Sequence, residues 1–196
     1  MSLLSSDFYP LDEFYAARGM ELPLIRRLQA MDLPEPYRQL LAHEGDMTSR
    51  LEKFHHDRIR IQLLERRTGD GAYFREVTLW AEQKVVEFGA IKIMIDLFPT
   101  QAQREIRQEK EPLGKILVRH GVAFSSQPRI FLGLMSDAFI SGLLSLKEPS
   151  FLYGRRNTLV DSRNRPLAEI VEILPPTAAR RVAAGAAADL SSSFRS

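Results

Sequence analysis

The stretch Ala72-Tyr73-Phe74-Arg75-Glu76-Val77-Thr78-Leu79-Trp80 decides the fold, because its side chains alternate with the period of two that is typical of a β-strand. Its β-branched and aromatic residues also favour a strand over a helix. One face is apolar except for a single guanidinium, and it consists of Tyr73, Arg75, Val77 and Leu79. A buried guanidinium without a partner is unfavourable, so we expect Arg75 to meet an anion from the protein or from a ligand.

The composition is that of an ordinary globular protein. The 196 residues suffice for one domain with a sizeable core, or for one domain plus a tail. The 27 Lys and Arg residues barely exceed the 25 Asp and Glu residues, so the net charge of +2 provides no basic stripe and we predict no nucleic-acid partner. The absence of cysteine excludes disulfides, thiolate nucleophiles and cysteine metal ligands.

The N-terminal residues do not form a secretory signal. Met1–Tyr15 carries Asp7, Asp12 and Glu13 where such a signal needs an apolar core. No apolar run is long enough to cross a bilayer. We therefore expect a cytoplasmic protein without membrane contact, and a monomer.

The histidine pair does not indicate a metal site. His55 and His56 are adjacent, and adjacent residues on a helix point in different directions. No third ligand stands at metal-binding spacing. We interpret both as solvent-facing residues at a helix end and predict no metal.

Further strands are predicted on both sides of the Arg75 stretch. Arg58–Leu63 alternates as an antiparallel strand does. Val85–Asp96 is a third strand whose alternation changes phase, and we predict a β-bulge at Gly89 because one extra residue would restore a continuous apolar face. Leu152–Val160 and Pro166–Leu174 are predicted to form a hairpin.

Helices are predicted around these strands. Leu22–Met31 carries apolar residues at helical spacing. Asp46 or Thr48 is placed to cap a later helix, and Thr100 with Gln103 matches a capping box. These signals indicate helices before the first strand and again after the third.

The order of the elements predicts an α+β domain with a single antiparallel sheet and with helices segregated to one side. We predict that residues 1–32 form an N-terminal extension packed on the domain, that residues 33–176 form the domain, and that residues 177–196 form a flexible tail. The tail is predicted because the composition changes to Ala, Arg and Ser after Pro175-Pro176.

Two carboxylates on the last predicted strand are candidate partners for Arg75. Glu169 and Glu172 fall on opposite faces of that strand, and periodicity does not decide which one points inward. One interpretation makes the inward glutamate a structural partner of Arg75. The other leaves Arg75 to bind a ligand in a mostly apolar pocket.

Five short motifs give the chain a resemblance to the chorismate pyruvate-lyase family, whose members make 4-hydroxybenzoate and pyruvate from chorismate. They occur in the family's order and span about residues 33–175. The motifs are Glu44-Gly45-Asp46-Met47-Thr48-Ser49-Arg50-Leu51-Glu52, Tyr73-Phe74-Arg75-Glu76-Val77, Glu111-Pro112-Leu113-Gly114, Leu152-Tyr153-Gly154-Arg155-Arg156 and Glu172-Ile173-Leu174-Pro175. The resemblance implies a sheet of about six strands, helices on one side and an enclosed site.

The resemblance also implies a set of site residues. The ligand contacts of the family correspond to Met47, Arg75, Leu113 and Glu172, with Arg75 on the ring carboxylate and Glu172 on the ring hydroxyl. Glu172 and Arg75 are the implied catalytic residues. The interval from Pro166 to Glu172 is one residue longer than in the family, which leaves Glu169 as the alternative counterpart.

The implied reaction is an elimination that aromatises the ring, so the protein needs to orient chorismate and assist proton movement, without a cofactor. The product would serve the biosynthesis of ubiquinone or aromatic secondary metabolites.

Two other functions compete with this one. Effector-sensing domains of some transcription regulators resemble the same fold and only bind small acids, although residues 1–32 show no helix-turn-helix pattern. An enzyme of the same fold acting on another cyclic acid is the second.

Overall fold

A seven-stranded antiparallel sheet organises the chain in the computed structural model, which describes residues 6–69 and 71–177. The strand order across the sheet is β1-β5-β6-β7-β4-β3-β2. The strands are β1 (Ile25–Leu28), β2 (Arg60–Gly69), β3 (Ala72–Ala81), β4 (Lys84–Ile93), β5 (Ser125–Met135), β6 (Phe151–Val160) and β7 (Pro166–Leu174). The α-helices are α1 (Leu11–Ala17), α2 (Tyr37–Leu41), α3 (Met47–His55), α4 (Thr100–Gln108), α5 (Leu113–Arg119) and α6 (Ala138–Leu143).

The predicted fold class is confirmed: this is an α+β protein with one antiparallel sheet. Two details differ, since the sheet has seven strands instead of about six and both of its faces are covered. Helices α2 to α5 pack on the face that carries Arg75, which we call the Arg75 face. Helices α1 and α6 pack on the opposite face, the Phe74 face. The strands at the centre of the sheet are therefore buried on both sides.

The extra strand comes from a segment that was predicted to be helical. Residues 22–31 contain β1, which pairs with β5 from Ile25 opposite Leu134 to Leu28 opposite Phe131. The helical spacing of apolar residues in this segment is outweighed by the hydrogen bonds that β5 offers at the edge of the sheet. The prediction of a helix over Leu22–Met31 is therefore wrong.

The irregularity of β4 lies at its start and not at Gly89. The register between β3 and β4 shifts between Leu79 and Trp80, next to Val86. Gly89 pairs regularly with Val77 on one side and with Glu172 on the other. Because β4 is buried on both faces, its apolar residues have no need to share a single face, and this explains why the prediction of a bulge at Gly89 is wrong.

The helix caps follow the sequence in one case and depart from it in another. The Asp46 side chain caps α3 by accepting a hydrogen bond of 2.8 Å from the Ser49 amide, as one of the two predicted alternatives. No side chain caps α4, because Gln103 instead donates a hydrogen bond of 2.9 Å to the Phe98 carbonyl. The capping-box prediction is therefore wrong.

The last described residue contacts the domain. The Thr177 amide donates a hydrogen bond of 2.7 Å to the Tyr37 hydroxyl, which itself donates to the Pro175 carbonyl. The remainder of the predicted tail, residues 178–196, lies outside the described residues. Within the described part of the chain, no helix is long and apolar enough to cross a membrane.

Candidate functional site

A cavity lies between the Arg75 face of the sheet and helices α3 and α5. Most of its walls are apolar. They include Met47, Ile61, Val77, Leu79, Leu113 and Ile170. A few polar side chains also face it, among them Arg75, Glu87, Arg155 and Glu172. Apolar walls with a small number of placed polar groups are the usual composition of a site for a small molecule.

Arg75 is completely buried and has no hydrogen-bonding partner among the described residues. Its exposed fraction is 0%, and none of its three guanidinium nitrogens makes a hydrogen bond. Burial lowers the pKa of Arg75 to about 10, while Tyr73 and Glu109 oppose that decrease. The guanidinium therefore remains charged at neutral pH, and the described residues supply no anion in contact with it.

The carboxylate of Glu109 acts electrostatically on Arg75, but its own partners are other side chains. Glu109 accepts a hydrogen bond from the Tyr73 hydroxyl and pairs with Arg66 at 3.1 Å. Burial, followed by the hydrogen bond to Glu109, raises the pKa of Tyr73 to about 12. Glu109 thus stabilises the charge on Arg75 from a distance and leaves the guanidinium free for another anion.

The question of which glutamate points inward is resolved by the pairing of β7. Glu172 lines the cavity. Glu169 instead accepts a hydrogen bond of 3.0 Å from Thr158 and pairs with Arg156 at 3.4 Å. Glu172 does not pair with Arg75, so the interpretation of Arg75 as half of a structural salt bridge is wrong.

The partner of Glu172 is Arg155, a second completely buried arginine. The Arg155 Nε donates to the Glu172 carboxylate, and its Nη1 donates to the carbonyls of Leu41 at 2.8 Å and His43 at 3.0 Å. Gly154 permits this arrangement, because a Cβ atom there would overlap the Glu172 carbonyl on β7. Arg155 therefore ties β6, β7 and the end of α2 together.

Glu87 is a cavity residue that the sequence reasoning missed. It is 4% exposed, and its Oε2 has no hydrogen-bonding partner within the described residues. Burial and the neighbouring Glu172 raise the pKa of Glu87 well above its ordinary value, while Arg155 acts in the opposite direction. The signal in the sequence is a single acid within the apolar run Val85-Val86-Glu87-Phe88, and regular alternation with Gly89 and Ile91 places that acid on the Arg75 face.

The two helices over the cavity meet at Gly114, where an added side chain would have to displace the Asp46 carboxylate. A Cβ atom at Gly114 would overlap the Asp46 carboxylate that caps α3. Met47 and Leu113, the residues beside this contact, are both buried and line the cavity. The four predicted binding residues, Met47, Arg75, Leu113 and Glu172, are thus brought together around one cavity.

The histidines and acids do not form a metal site in the part of the chain that the structure describes. No three His, Cys, Asp or Glu side chains there are grouped closely enough to hold an ion. His55 packs edge-on against Phe54, and His56 ends α3 in the left-handed region at a φ of 56°.

The class that the fold defines is the chorismate-lyase-like α+β domain. No protein-family model and no curated protein sequence matches the chain. Similar solved structures include PhnF from Mycobacterium smegmatis, with a TM-score of 0.55 and 13% identity over 86% of this chain and 94% of that one. The effector domain of the same PhnF has a TM-score of 0.53 and 14% identity over 66% and 88%. The ligand-binding domain of a regulator assigned to the GntR family, from Bordetella bronchiseptica, has a TM-score of 0.46 and 14% identity over 60% and 85%.

These comparisons correct the functional prediction. The resemblance holds at the level of the fold, but the prediction of an enzyme, a chorismate lyase in 4-hydroxybenzoate biosynthesis, is wrong, because the similar structures include PhnF and its effector domain. In the cavity, Glu172, the predicted base, forms an ion pair with Arg155. The absence of a nucleic-acid partner stays a prediction.

Proposed function

We propose that this chain is a small-molecule-binding domain of the effector-sensing type, and that its cavity binds a carboxylate-bearing ligand through Arg75. The observation that carries the proposal is the fully buried guanidinium of Arg75, which faces an apolar cavity and has no anion from the described residues. Leaving such a charge unpaired is costly, and a bound anion removes that cost. The similarity to an effector domain in fold supports the same function.

The geometry favours a carboxylate over a point anion. All three nitrogens of Arg75 are unoccupied, so the planar guanidinium is able to donate two parallel hydrogen bonds to one carboxylate. The apolar walls formed by Val77, Leu79 and Ile170 would contact the hydrocarbon part of the ligand. Met47 and Leu113 cover it from the helix side, in the binding roles that the sequence resemblance implies.

The test is binding of a panel of small monocarboxylates, including benzoate, 4-hydroxybenzoate and cyclohexanecarboxylate, measured by the shift in melting temperature and then by calorimetry. We expect at least one to bind the wild-type chain and to bind Arg75→Met at least 30-fold more weakly. Arg66→Met is the matched control, because Arg66 is exposed and paired with Glu109 outside the cavity. Equal affinity of the wild-type protein and Arg75→Met would contradict the proposal.

A further inference from the structure

A second polar group in the cavity lies away from Arg75. It comprises Glu87, Glu172 and Arg155, two carboxyl groups and one guanidinium. Glu87 interacts electrostatically with Glu172, Arg155 and Asp46, whereas Arg75 interacts with Tyr73 and Glu109. The two polar groups thus occupy separate parts of the cavity, and each has its own electrostatic surroundings.

The single cation in this group is matched by Glu172 and not by Glu87. Arg155 donates its Nε to Glu172 and its Nη1 to two backbone carbonyls, and it makes no hydrogen bond to Glu87. A second buried carboxylate beside the first would have no counter-charge, so Glu87 is more stable as the neutral acid. This agrees with the raised pKa of Glu87, which is caused first by its burial and then by Glu172.

Two polar atoms of this group have no partner among the described residues. They are Oε2 of Glu87 and Nη2 of Arg155, and both are buried. A protonated carboxyl is a hydrogen-bond donor, and a guanidinium nitrogen only donates. Both unpartnered groups therefore need an acceptor, and the net charge of the set is already balanced.

The sheet register sets the distance between the two polar groups. Arg75 is opposite Ile91, and Glu87 is opposite Leu79, four residues further along β3. At about 3.3 Å per residue, their backbone positions are separated by about 13 Å along the strands. Gly89 lies between them without a side chain, so a ligand on the cavity floor can extend from one group toward the other.

We propose that Glu87 is a specificity-determining residue, whose neutral carboxyl donates a hydrogen bond, together with Arg155 Nη2, to an uncharged acceptor on the ligand. The inference rests on the proposed function, which places the anionic group of the ligand on Arg75. The ligand class is then a compact monoanion that carries a carbonyl or similar acceptor at the end remote from its carboxylate. A dianion is disfavoured, because its second charge would lie beside Glu172 and Glu87.

The protonation state is tested without any ligand by infrared spectroscopy of the full chain at pH 7. We expect a carbonyl stretching band of a protonated carboxyl that disappears in Glu87→Gln and persists in Glu169→Gln, because Glu169 pairs with Arg156 and does not belong to this polar group. Glu87→Gln keeps the shape and a donor, so it is expected to fold. If wild-type protein lacks such a band, or if Glu87→Gln retains it, the inference is overturned.

Ligand preference is tested by calorimetry with benzoate, 4-acetylbenzoate and terephthalate. We expect the wild-type chain to bind 4-acetylbenzoate at least tenfold more tightly than benzoate or terephthalate. Glu87→Gln should still bind 4-acetylbenzoate more tightly than benzoate, whereas Glu87→Leu should bind the two with equal affinity. If carboxylates bind through Arg75 but Glu87→Leu still prefers 4-acetylbenzoate over benzoate, this inference is overturned and the proposed function still holds. Carboxylates that bind regardless of Arg75 would overturn both.

Discussion

Two arginines are completely buried on the Arg75 face of the sheet, and their surroundings differ in one respect that matters for function. Arg155 has a carboxylate and two backbone carbonyls as partners, whereas Arg75 has no hydrogen-bonding partner among the described residues. The same side chain at similar burial therefore serves structure in one place and is available to a ligand in the other. The effects of replacing the paired Arg155 and the unpaired Arg75 can therefore be compared within one molecule.

The first prediction compares the two arginines in the absence of ligand. Arg75→Met should leave the free energy of unfolding unchanged or raise it, because a desolvated charge is replaced by an apolar side chain of comparable length. Arg155→Met should lower it by about 3–5 kcal/mol, because Glu172 would remain buried without a partner. Urea denaturation at pH 7 measures both. Equal losses in the two variants would assign Arg75 a structural role.

The second prediction concerns Glu87 and pH. A carboxyl whose pKa is raised by folding makes the protein less stable as pH rises from the ordinary glutamate value of about 4.3 toward the raised one, because only the unfolded chain then releases the proton. Glu87→Gln has no such proton, so its stability relative to wild-type protein should increase as pH rises above about 4.3, by up to about 1.4 kcal/mol per pH unit until the raised pKa of Glu87 is reached.

The measurement for this prediction is denaturant unfolding at several pH values, with Glu172→Gln as the control. Glu172→Gln leaves Arg155 without its counter-ion, so it should be less stable than the wild-type protein at neutral pH. Parallel pH profiles of wild-type protein and Glu87→Gln would show that Glu87 is ionised in the folded chain.

At the residue scale, the sequence predicts part of the site for a clear reason. Strict alternation identifies Arg75 as a guanidinium on an apolar face, and alternation depends only on local geometry. Glu87 follows the same alternation as Ile91, but the bulge that was wrongly predicted at Gly89 would have placed it on the opposite face. The choice between Glu169 and Glu172, and the pairing of Arg155, depend on contacts between β6 and β7 that no single strand encodes.

At the scale of elements, the cavity depends on the contact between α3 and α5. Asp46 caps α3, and its carboxylate lies where a side chain at Gly114 would be. Met47 and Leu113 are thereby held over the cavity. Two motifs that are far apart in the sequence, Glu44–Glu52 and Glu111–Gly114, thus act as one structural unit.

The third prediction tests this contact. Gly114→Ala should lower the free energy of unfolding by about 1–3 kcal/mol, the usual cost of inserting a methyl group where there is no room. It should also weaken ligand binding, because α5 has to move away from the cavity. Gly142→Ala in α6 is the matched control: no atom lies within 4 Å of its added Cβ, and it should stabilise the helix by about 0.5–1 kcal/mol.

The two substitutions are compared by chemical denaturation and by calorimetry with the same carboxylate. Unchanged stability and affinity in Gly114→Ala would show that the contact between α3 and α5 is not required for the cavity.

The elements themselves were largely predictable, since β3, β6 and β7 follow their sequence patterns closely. Strand β1 was not predictable, because an edge strand of four residues owes its conformation to its neighbour β5.

At the scale of the whole molecule, one sheet separates two cores. Helices α2 to α5 and the cavity lie on the Arg75 face, while α1 and α6 cover the Phe74 face. The central strands contribute side chains to both cores, so we expect the two cores to fold and unfold together. This arrangement was not predicted from the sequence, because the N-terminal segment that contains α1 shows no clear pattern on its own.

The fourth prediction follows from the shared sheet. A ligand in the cavity should stabilise both cores together, raising the free energy of unfolding by about 2.7 kcal/mol at a ligand concentration 100 times its dissociation constant. Trp80, the single tryptophan, lies on β3 and reports on the sheet through its fluorescence. Its unfolding curve and the far-ultraviolet circular dichroism curve should coincide with and without ligand, and curves that separate would show that the cores unfold independently.

Whether the partner of Arg75 is a ligand is measured by calorimetric titration of wild-type protein and Arg75→Met with the tightest-binding carboxylate of the panel. Removing one member of a buried charge pair costs about 2–5 kcal/mol of binding free energy, so the dissociation constant should rise at least about 30-fold. The same titration of Arg66→Met should give the wild-type value. A dissociation constant that is the same for wild-type protein and Arg75→Met would contradict the account.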